Sequence, residues 1–161
     1  MGSGKSTVAS QLGAKFAMPI VDVDDVIAES SGKSIEEIFN TEGEKHFRSL
    51  ELSIIKDLSQ NYPYLVSIGG GAVETPELTE ILKQNGSVIW LNRSWDKLYP
   101  TIIADSNRPL VNNNTVEELH VLFINRCRLY KSLADYEIDT SVLSIDQVAQ
   151  EVNNIRRKCE S

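Results

Sequence analysis

The chain has 161 residues, of which 41% are hydrophobic and 24% are charged, values typical of one globular domain with its own core. Its net charge of −7 argues against a nucleic-acid-binding surface, and no apolar run approaches the ~20 residues of a membrane-spanning helix. Because the sequence also shows no basic-then-apolar leader, we expect a cytoplasmic protein.

Hydrophobic periodicity predicts helices that alternate with strands along the chain. In the first half these are a helix over 5–16, a strand over 19–23, a short helix over 26–30, a helix capped by Ser34 and Glu37, a longer helix from Gly43 through Leu58 and a strand over 64–68. In the second half they are a helix from Pro76 to Gly86, a strand over 87–91, a helix through Trp95 and Leu98, a loop over 105–115, a helix over 116–133, a strand over 136–140 and a helix over 145–158.

The alternation of helices with nearly continuous apolar strands predicts a parallel sheet that is covered on both faces. Ligands of such sheets bind outside the carboxyl ends of the strands. Asp22, Gly69–Gly71 and the turn before Lys5 all fall at that edge. We therefore expect them to form one site.

Residues 1–7 read Met-Gly-Ser-Gly-Lys-Ser-Thr, which is most of the phosphate-binding pattern G-x-x-x-x-G-K-[ST]. In that pattern backbone N–H groups surround phosphate oxygens, and a helix adds its positive end. Lys5 would bridge the β- and γ-phosphates, and Ser6 would ligate Mg²⁺. A glycine-rich tag or a simple helix cap is the alternative interpretation.

The phosphate-binding pattern is incomplete, because its first glycine would precede Met1. The strand that should lead into it, typically about five or six residues, is also missing from the sequence. In sheets of this kind that strand is central, so its two neighbours would be left with unpaired backbone groups. We expect that an upstream segment has been lost.

Two aspartates and a glycine run mark the ends of the first two predicted strands. Asp22 and Asp24 could divide two tasks, one supporting Mg²⁺ and the other orienting or deprotonating an accepting hydroxyl. Helix capping is the alternative, and Asp25 is the better candidate for a plain cap. Gly69–Gly71 indicates a close approach of a ligand to the backbone, with a loose turn as the alternative.

Three arginines could hold the anionic parts of a ligand. Arg48 lies three residues before Glu51 on one helix face, so the carboxylate can fix a guanidinium that grips another carboxylate. Arg108 could close over the phosphates as part of a lid, and Arg126, four residues before Tyr130, is a third candidate. Taken singly, each could instead be a solvated surface charge.

Together these motifs resemble those of the shikimate kinase family. In chain order they are Gly-Ser-Gly-Lys-Ser-Thr at 2–7, Asp-Val-Asp at 22–24, the run Ile-Phe…Gly-Glu…Phe-Arg…Glu at 38–51, Gly-Gly-Gly at 69–71, Arg-Pro-Leu at 108–110 and Arg-x-x-Leu-Tyr at 126–130. Their order and spacing agree from Met1 to about Thr140.

The resemblance implies an ATP- and Mg²⁺-dependent kinase that phosphorylates the 3-hydroxyl of shikimate, acting as a monomer. It implies a three-layer α/β P-loop fold with a parallel sheet of order 2-3-1-4-5 and helices on both faces, the first strand being absent or truncated here. The chain would form one kinase domain over 1–161, with substrate-binding helices at about 31–60 and a mobile lid at about 105–115.

The resemblance also implies roles for individual residues. ATP would be bound by Gly2, Ser3, Gly4, Lys5, Ser6, Thr7 and Arg108, and Mg²⁺ by Ser6 and Asp22. Shikimate would be bound by Asp24, Phe39, Phe47, Arg48, Gly69, Gly70, Gly71 and Arg126. Catalysis would fall to Asp24 at the reacting hydroxyl, Lys5 at the phosphates and Arg108 in the lid.

Two features depart from the family pattern. Many members carry an arginine near the adenine in the helix before the lid, whereas residues 100–104 contain none. The incomplete phosphate pattern leaves open a catalytically impaired binding or regulatory protein as an alternative function. A small-molecule kinase for gluconate or a nucleoside monophosphate is a further alternative, which the Phe47-Arg48 helix, the glycine run and the Arg126 helix disfavour.

Overall fold

The computed structural model describes residues 3–60, 65–104 and 114–159. The elements in these ranges are α1 Lys5–Phe16, β1 Ile20–Asp22, α2 Val23–Ser31, α3 Ile35–Thr41, α4 Gly43–Ser59, β2 Leu65–Ser67, a 3₁₀ turn at Ala72–Glu74, α5 Pro76–Asn85, β3 Ile89–Asn92, α6 Trp95–Ile103, α7 Val116–Leu133, β4 Tyr136–Asp139 and α8 Ile145–Cys159. Gly2, Arg108 and residues 105–113 of the predicted lid at about 105–115 lie outside the described residues.

The helix ends follow from local side-chain chemistry. Ser34 and Thr115 each accept a hydrogen bond from a backbone N–H three residues later, and a glutamate at that position bonds back. These reciprocal bonds satisfy N–H groups that lack partners within the helix. They explain why α3 and α7 begin where the sequence predicts.

The start of α2 corrects one prediction. The helix begins at Val23, three residues before the predicted Val26, and Asp22 is its N-cap. The Asp22 Oδ1 accepts a hydrogen bond from the backbone N–H of Asp24 at 3.0 Å. The cap is therefore Asp22 rather than Asp25, and Asp24 lies in the first helical turn instead of at a strand end.

The strands form two parallel pairs. β1 pairs with β2, with Ile20 opposite Leu65, and β3 pairs with β4, with Ile89 opposite Tyr136. The predicted order 2-3-1-4-5 counts a first strand ahead of β1, so β1 to β4 correspond to its strands 2 to 5. The observed pairs β1-β2 and β3-β4 are therefore its pairs 2-3 and 4-5. No strand within the described ranges joins the two pairs.

Helices cover both faces of the strands. Leu65, Ile89 and Leu91 pack against the core of α1 and α8, whereas Val66 and Ile68 pack against the core built by α2 to α5. Since successive strand side chains point to opposite faces, the two cores lie on opposite sides of the sheet. This arrangement is the predicted three-layer architecture.

A cavity of about 440 Å³ lies between the two strand pairs. Consecutive residues 65–68 on one side and 89–92 on the other line it. Because neighbouring strand residues face opposite ways, a cavity lined by consecutive residues runs along the strand edges. The cavity therefore lies at the position that the order 2-3-1-4-5 gives to its central strand.

No helix in the described ranges is long and apolar enough to cross a membrane. Cys127 and Cys159 are free thiols.

Candidate active site

The predicted phosphate loop leads directly into α1. Gly4 has a left-handed backbone conformation, with φ of 86°, that glycine adopts without strain. The first backbone bond of the helix joins the N–H of Val8 to the carbonyl oxygen of Gly4 at 2.9 Å, so the preceding N–H groups point outward from the helix end. Ser6 and Thr7 are exposed there, and the helix end can receive an anion.

Burial and the neighbouring positive charges act in opposite directions on the pKa of the Asp24 carboxyl. Burial raises its pKa, the charge of Asp22 raises it further, and Lys5 and Arg48 oppose the rise. Its Oδ1 atom is buried and accepts no hydrogen bond within the described residues. A poorly solvated oxygen of this kind is suited to accept a proton from a bound hydroxyl.

Arg48 is held on α4 by two glutamates of the same helix. Its Nη1 pairs with Oε2 of the fully buried Glu51 at 2.7 Å, and its Nη2 pairs with Oε1 of the exposed Glu44 at 3.1 Å. The guanidinium carbon lies 5.1 Å from the ring centre of Phe47, which itself packs 4.8 Å from the ring of Phe39. The predicted clamp of Glu51 on Arg48 is thus present.

Gly69 and Gly71 permit close approaches of other side chains, which a Cβ would crowd at Gly69 and block at Gly71. A Cβ on Gly69 would lie 3.2 Å from Oε1 of Glu51 and 3.5 Å from Oδ1 of Asp24. A Cβ on Gly71 would overlap the guanidinium of Arg48 and lie 3.1 Å from Nη2 of Arg126. The glycine run therefore marks the place where the carboxylates and arginines of the site meet.

Arg126 reaches this place from α7 and is only 4% exposed. Its Nε and Nη2 donate to a single oxygen, Oε2 of Glu74, at 3.2 and 2.6 Å. One turn further along α7, the hydroxyl of Tyr130 donates to the carbonyl oxygen of Gly70. Burial raises the pKa of Tyr130 to about 12, so this donor stays protonated.

Most of the predicted site residues come together. Asp24 is within electrostatic range of Lys5 and Arg48, and a Cβ on Gly71 would meet both Arg48 and Arg126. Phe39 and Phe47 lie mainly in the core beside Arg48. The described ranges contain no cluster of three or more ligands for a metal ion.

Two glutamates of the site were missed by sequence reasoning. In the sequence Glu44 stands out only as part of the motif at 38–51, and no motif includes Glu74. The available signal for Glu74 was its position three residues after the glycine run. Nothing in the sequence indicated that it would meet an arginine 52 residues away.

The sequence matches a known family over nearly its whole length. The family profile described as "Shikimate kinase" matches residues 1–156. Shikimate kinases from Staphylococcus aureus strains MRSA252 and JH9 are 33% identical over 155 residues, which is 96% of this chain and 88% of theirs.

Solved structures show the same similarity. Shikimate kinase from Acinetobacter baumannii in complex with shikimate superposes with a TM-score of 0.88 at 31% identity, covering 98% of this chain and 89% of that one. Shikimate kinase from Aquifex aeolicus gives a TM-score of 0.82 at 28% identity, covering 99% and 93%.

Proposed function

The chain belongs to the shikimate kinase family, and from this membership we propose how its site transfers the γ-phosphate of ATP to the 3-hydroxyl of shikimate. The enzyme is an ATP-dependent kinase of aromatic amino-acid biosynthesis. The observation that carries the assignment is the convergence of Arg48 and Arg126 over Gly71, beside the desolvated Asp24. The comparisons do not favour the impaired binding protein or the kinases for other substrates.

The two arginines bind the shikimate carboxylate. Each guanidinium presents several N–H donors in a planar fork that matches a carboxylate. Glu51 fixes Arg48 through Nη1 at 2.7 Å, and Nη2 of Arg48 faces Gly71. Gly70 and Gly71 border the ring of the substrate, and the Phe39–Phe47 pair supports the wall on which Arg48 lies.

Asp24 orients the 3-hydroxyl and accepts its proton as the phosphoryl group arrives. Its raised pKa brings its basicity closer to that of a useful general base. Lys5 is near enough to lower that pKa, so the nucleotide end of the site adjoins the hydroxyl. Transfer then depends mainly on positioning and on neutralising charge, as in other phosphoryl transfers.

The nucleotide end is formed by the start of α1. Ser3 and Gly4 supply backbone around the phosphates, Lys5 supplies a positive charge, and Ser6 and Thr7 supply exposed hydroxyls. Magnesium bound with a nucleotide usually takes one or two carboxylates and keeps several waters. The Ser6 hydroxyl and the Asp22 carboxylate fit that donor set, and the ion supplies charge neutralisation between the phosphates.

Gly2 in the phosphate loop and Arg108 in the lid complete the proposed machinery. We assign Arg108 to the phosphates during transfer, which is the role that the family pattern implies for it. We further propose that residues 1–161 act as one kinase domain, as a monomer in the cytoplasm. Two free thiols suit a reducing compartment, and size-exclusion chromatography with light scattering would test the monomer.

The proposed function predicts a substrate-specific loss when Arg48 is changed. Arg48→Ala should raise the KM for shikimate by roughly 10- to 100-fold, because a hydrogen-bonded charge pair is lost, while the KM for ATP changes little. The measurement is ADP release coupled to a reporter, with shikimate, gluconate and a nucleoside monophosphate offered separately. Arg128→Ala is the matched control, since Arg128 is exposed on α7. ADP release with gluconate or the nucleotide but not with shikimate would contradict the assignment.

A further inference from the structure

The two substrate arginines are each anchored by a carboxylate of the protein. Glu51 anchors Arg48 through Nη1, and Glu74 anchors Arg126 through Nε and Nη2. Glu51 comes from the same helix as its partner. Glu74 comes from the 3₁₀ turn that directly follows the glycine run, 52 residues before Arg126.

The Glu74 contact fixes the orientation of Arg126. Two N–H groups on one edge of the planar guanidinium donate to one carboxylate oxygen, at 3.2 and 2.6 Å. Because the guanidinium is flat and rigid, fixing that edge fixes the direction of its other N–H bonds. Although the side chain of Glu74 is 36% exposed, that of Arg126 is only 5% exposed, so the guanidinium itself has little access to water.

The fixed orientation matters because of where Nη2 lies. That atom is 3.1 Å from the position that a Cβ on Gly71 would take, next to the guanidinium of Arg48. Two positive groups would repel each other at this place. A glutamate behind Arg126 offsets the repulsion and holds its guanidinium at the meeting point.

We propose that Glu74 is a positioning residue for shikimate, which sets the affinity for the substrate carboxylate by holding Arg126 over Gly71. The inference rests on the proposed role of Arg126 in binding that carboxylate. Glu74 acts through Arg126 and touches neither the hydroxyl nor the phosphates. Its charge therefore affects the binding of shikimate far more than the turnover of the bound complex.

A competing role for Glu74 predicts the opposite change in the KM for shikimate. If Glu74 only occupied Nη2 until shikimate displaced it, removing its charge would free the arginine and tighten binding. The hydrogen bond from Nε favours the positioning role, because a mere occupant of the substrate position would need only Nη2. The sign of the change in KM separates the two roles.

The test compares Glu74→Gln with Glu77→Gln, a matched control three residues along in the exposed first turn of α5. For Glu74→Gln we expect the KM for shikimate to rise about tenfold, the loss of roughly one charge-assisted hydrogen bond, with kcat and the KM for ATP within about twofold. Glu74→Asp keeps the charge on a shorter side chain, so its KM for shikimate should lie between those of the wild type and Glu74→Gln. Glu77→Gln should match the wild type.

The neutral methyl ester of shikimate makes the test specific. With this analogue Glu74→Gln should cause little change, since no carboxylate is present for Arg126 to grip. In an Arg126→Lys background, Glu74→Gln should add nothing further. A KM for shikimate that is unchanged or lower in Glu74→Gln, or that rises equally for the ester, would overturn the proposal.

Failure of the underlying function would look different. If wild-type enzyme bound shikimate and its methyl ester equally well, and Arg126→Lys had no effect, the carboxylate role of Arg126 would itself be wrong. Thermal melting of each variant guards against misreading a folding defect. If Glu74→Gln does not fold, Glu74→Asp alone decides, because positioning predicts a raised KM for shikimate and not for the ester.

Discussion

The burial of Asp24 affects both the stability of the fold and the ability of this residue to accept a proton. Its pKa is raised in the folded protein, chiefly by burial, so the folded state binds the proton up to a higher pH than the unfolded state does. As the pH rises from the unfolded pKa to the folded one, stability therefore falls. At neutral pH the charged carboxylate weakens the fold, and the same poor solvation makes it a better proton acceptor.

Replacing this carboxylate should separate the two effects. Asp24→Asn should reduce turnover by at least about 100-fold, the usual scale for losing a general base, while ATP binding stays nearly intact. Its melting temperature at neutral pH should exceed that of the wild type, and the difference should shrink in acid. Steady-state kinetics, ATP titration and melting curves at several pH values make the measurement. Full activity would remove Asp24 from the role of base.

The elements of the fold show what sequence patterns can and cannot predict. The bounds of α1 and α7 follow from apolar spacing and from capping residues such as Thr115, which act within one helical turn. The cap of α2 could not be chosen from sequence alone, because Asp22 and Asp25 are chemically equivalent. The Glu74–Arg126 pair joins a turn to a distant helix, so only the packing of layers reveals it.

Each of β2 and β3 has one edge that pairs with no other strand of the described ranges. The residues of these two strands are only partly buried, although strands of a doubly covered parallel sheet are usually buried on both faces. The cavity of about 440 Å³ between them has an apolar lining that includes Val8, Leu12 and Val152. An extended apolar segment would satisfy both edges and fill this space.

A strand supplied to the cavity should stabilise the protein. Fusing about six apolar residues, followed by Gly and one further residue, ahead of Met1 should raise both the melting temperature and the affinity for ATP. The gain comes from new backbone pairing and from completing the phosphate loop. The control fusion carries aspartate at its central position. Equal melting temperatures for the two fusions would contradict pairing in the cavity.

In the molecule as a whole, a local group of positive side chains stands against a negative net charge. The chain carries a net charge of −7, yet it acts on two anionic substrates. Lys5, Arg48 and Arg126 converge on one edge of the sheet, where Arg126 is nearly fully buried and all three lie near the glycine run or Asp24. In the proposed function, these local cations, rather than the field of the whole protein, bind the anions.

In the proposed function this site transfers phosphate from ATP to the 3-hydroxyl of shikimate. Phosphorus NMR of the wild-type enzyme with ATP, Mg²⁺ and shikimate follows this transfer itself. We predict that the γ-phosphate signal of ATP is replaced, mole for mole, by one phosphomonoester signal coupled to the proton on C3 of shikimate. Inorganic phosphate alone, or a phosphomonoester on another hydroxyl, would contradict the proposed function.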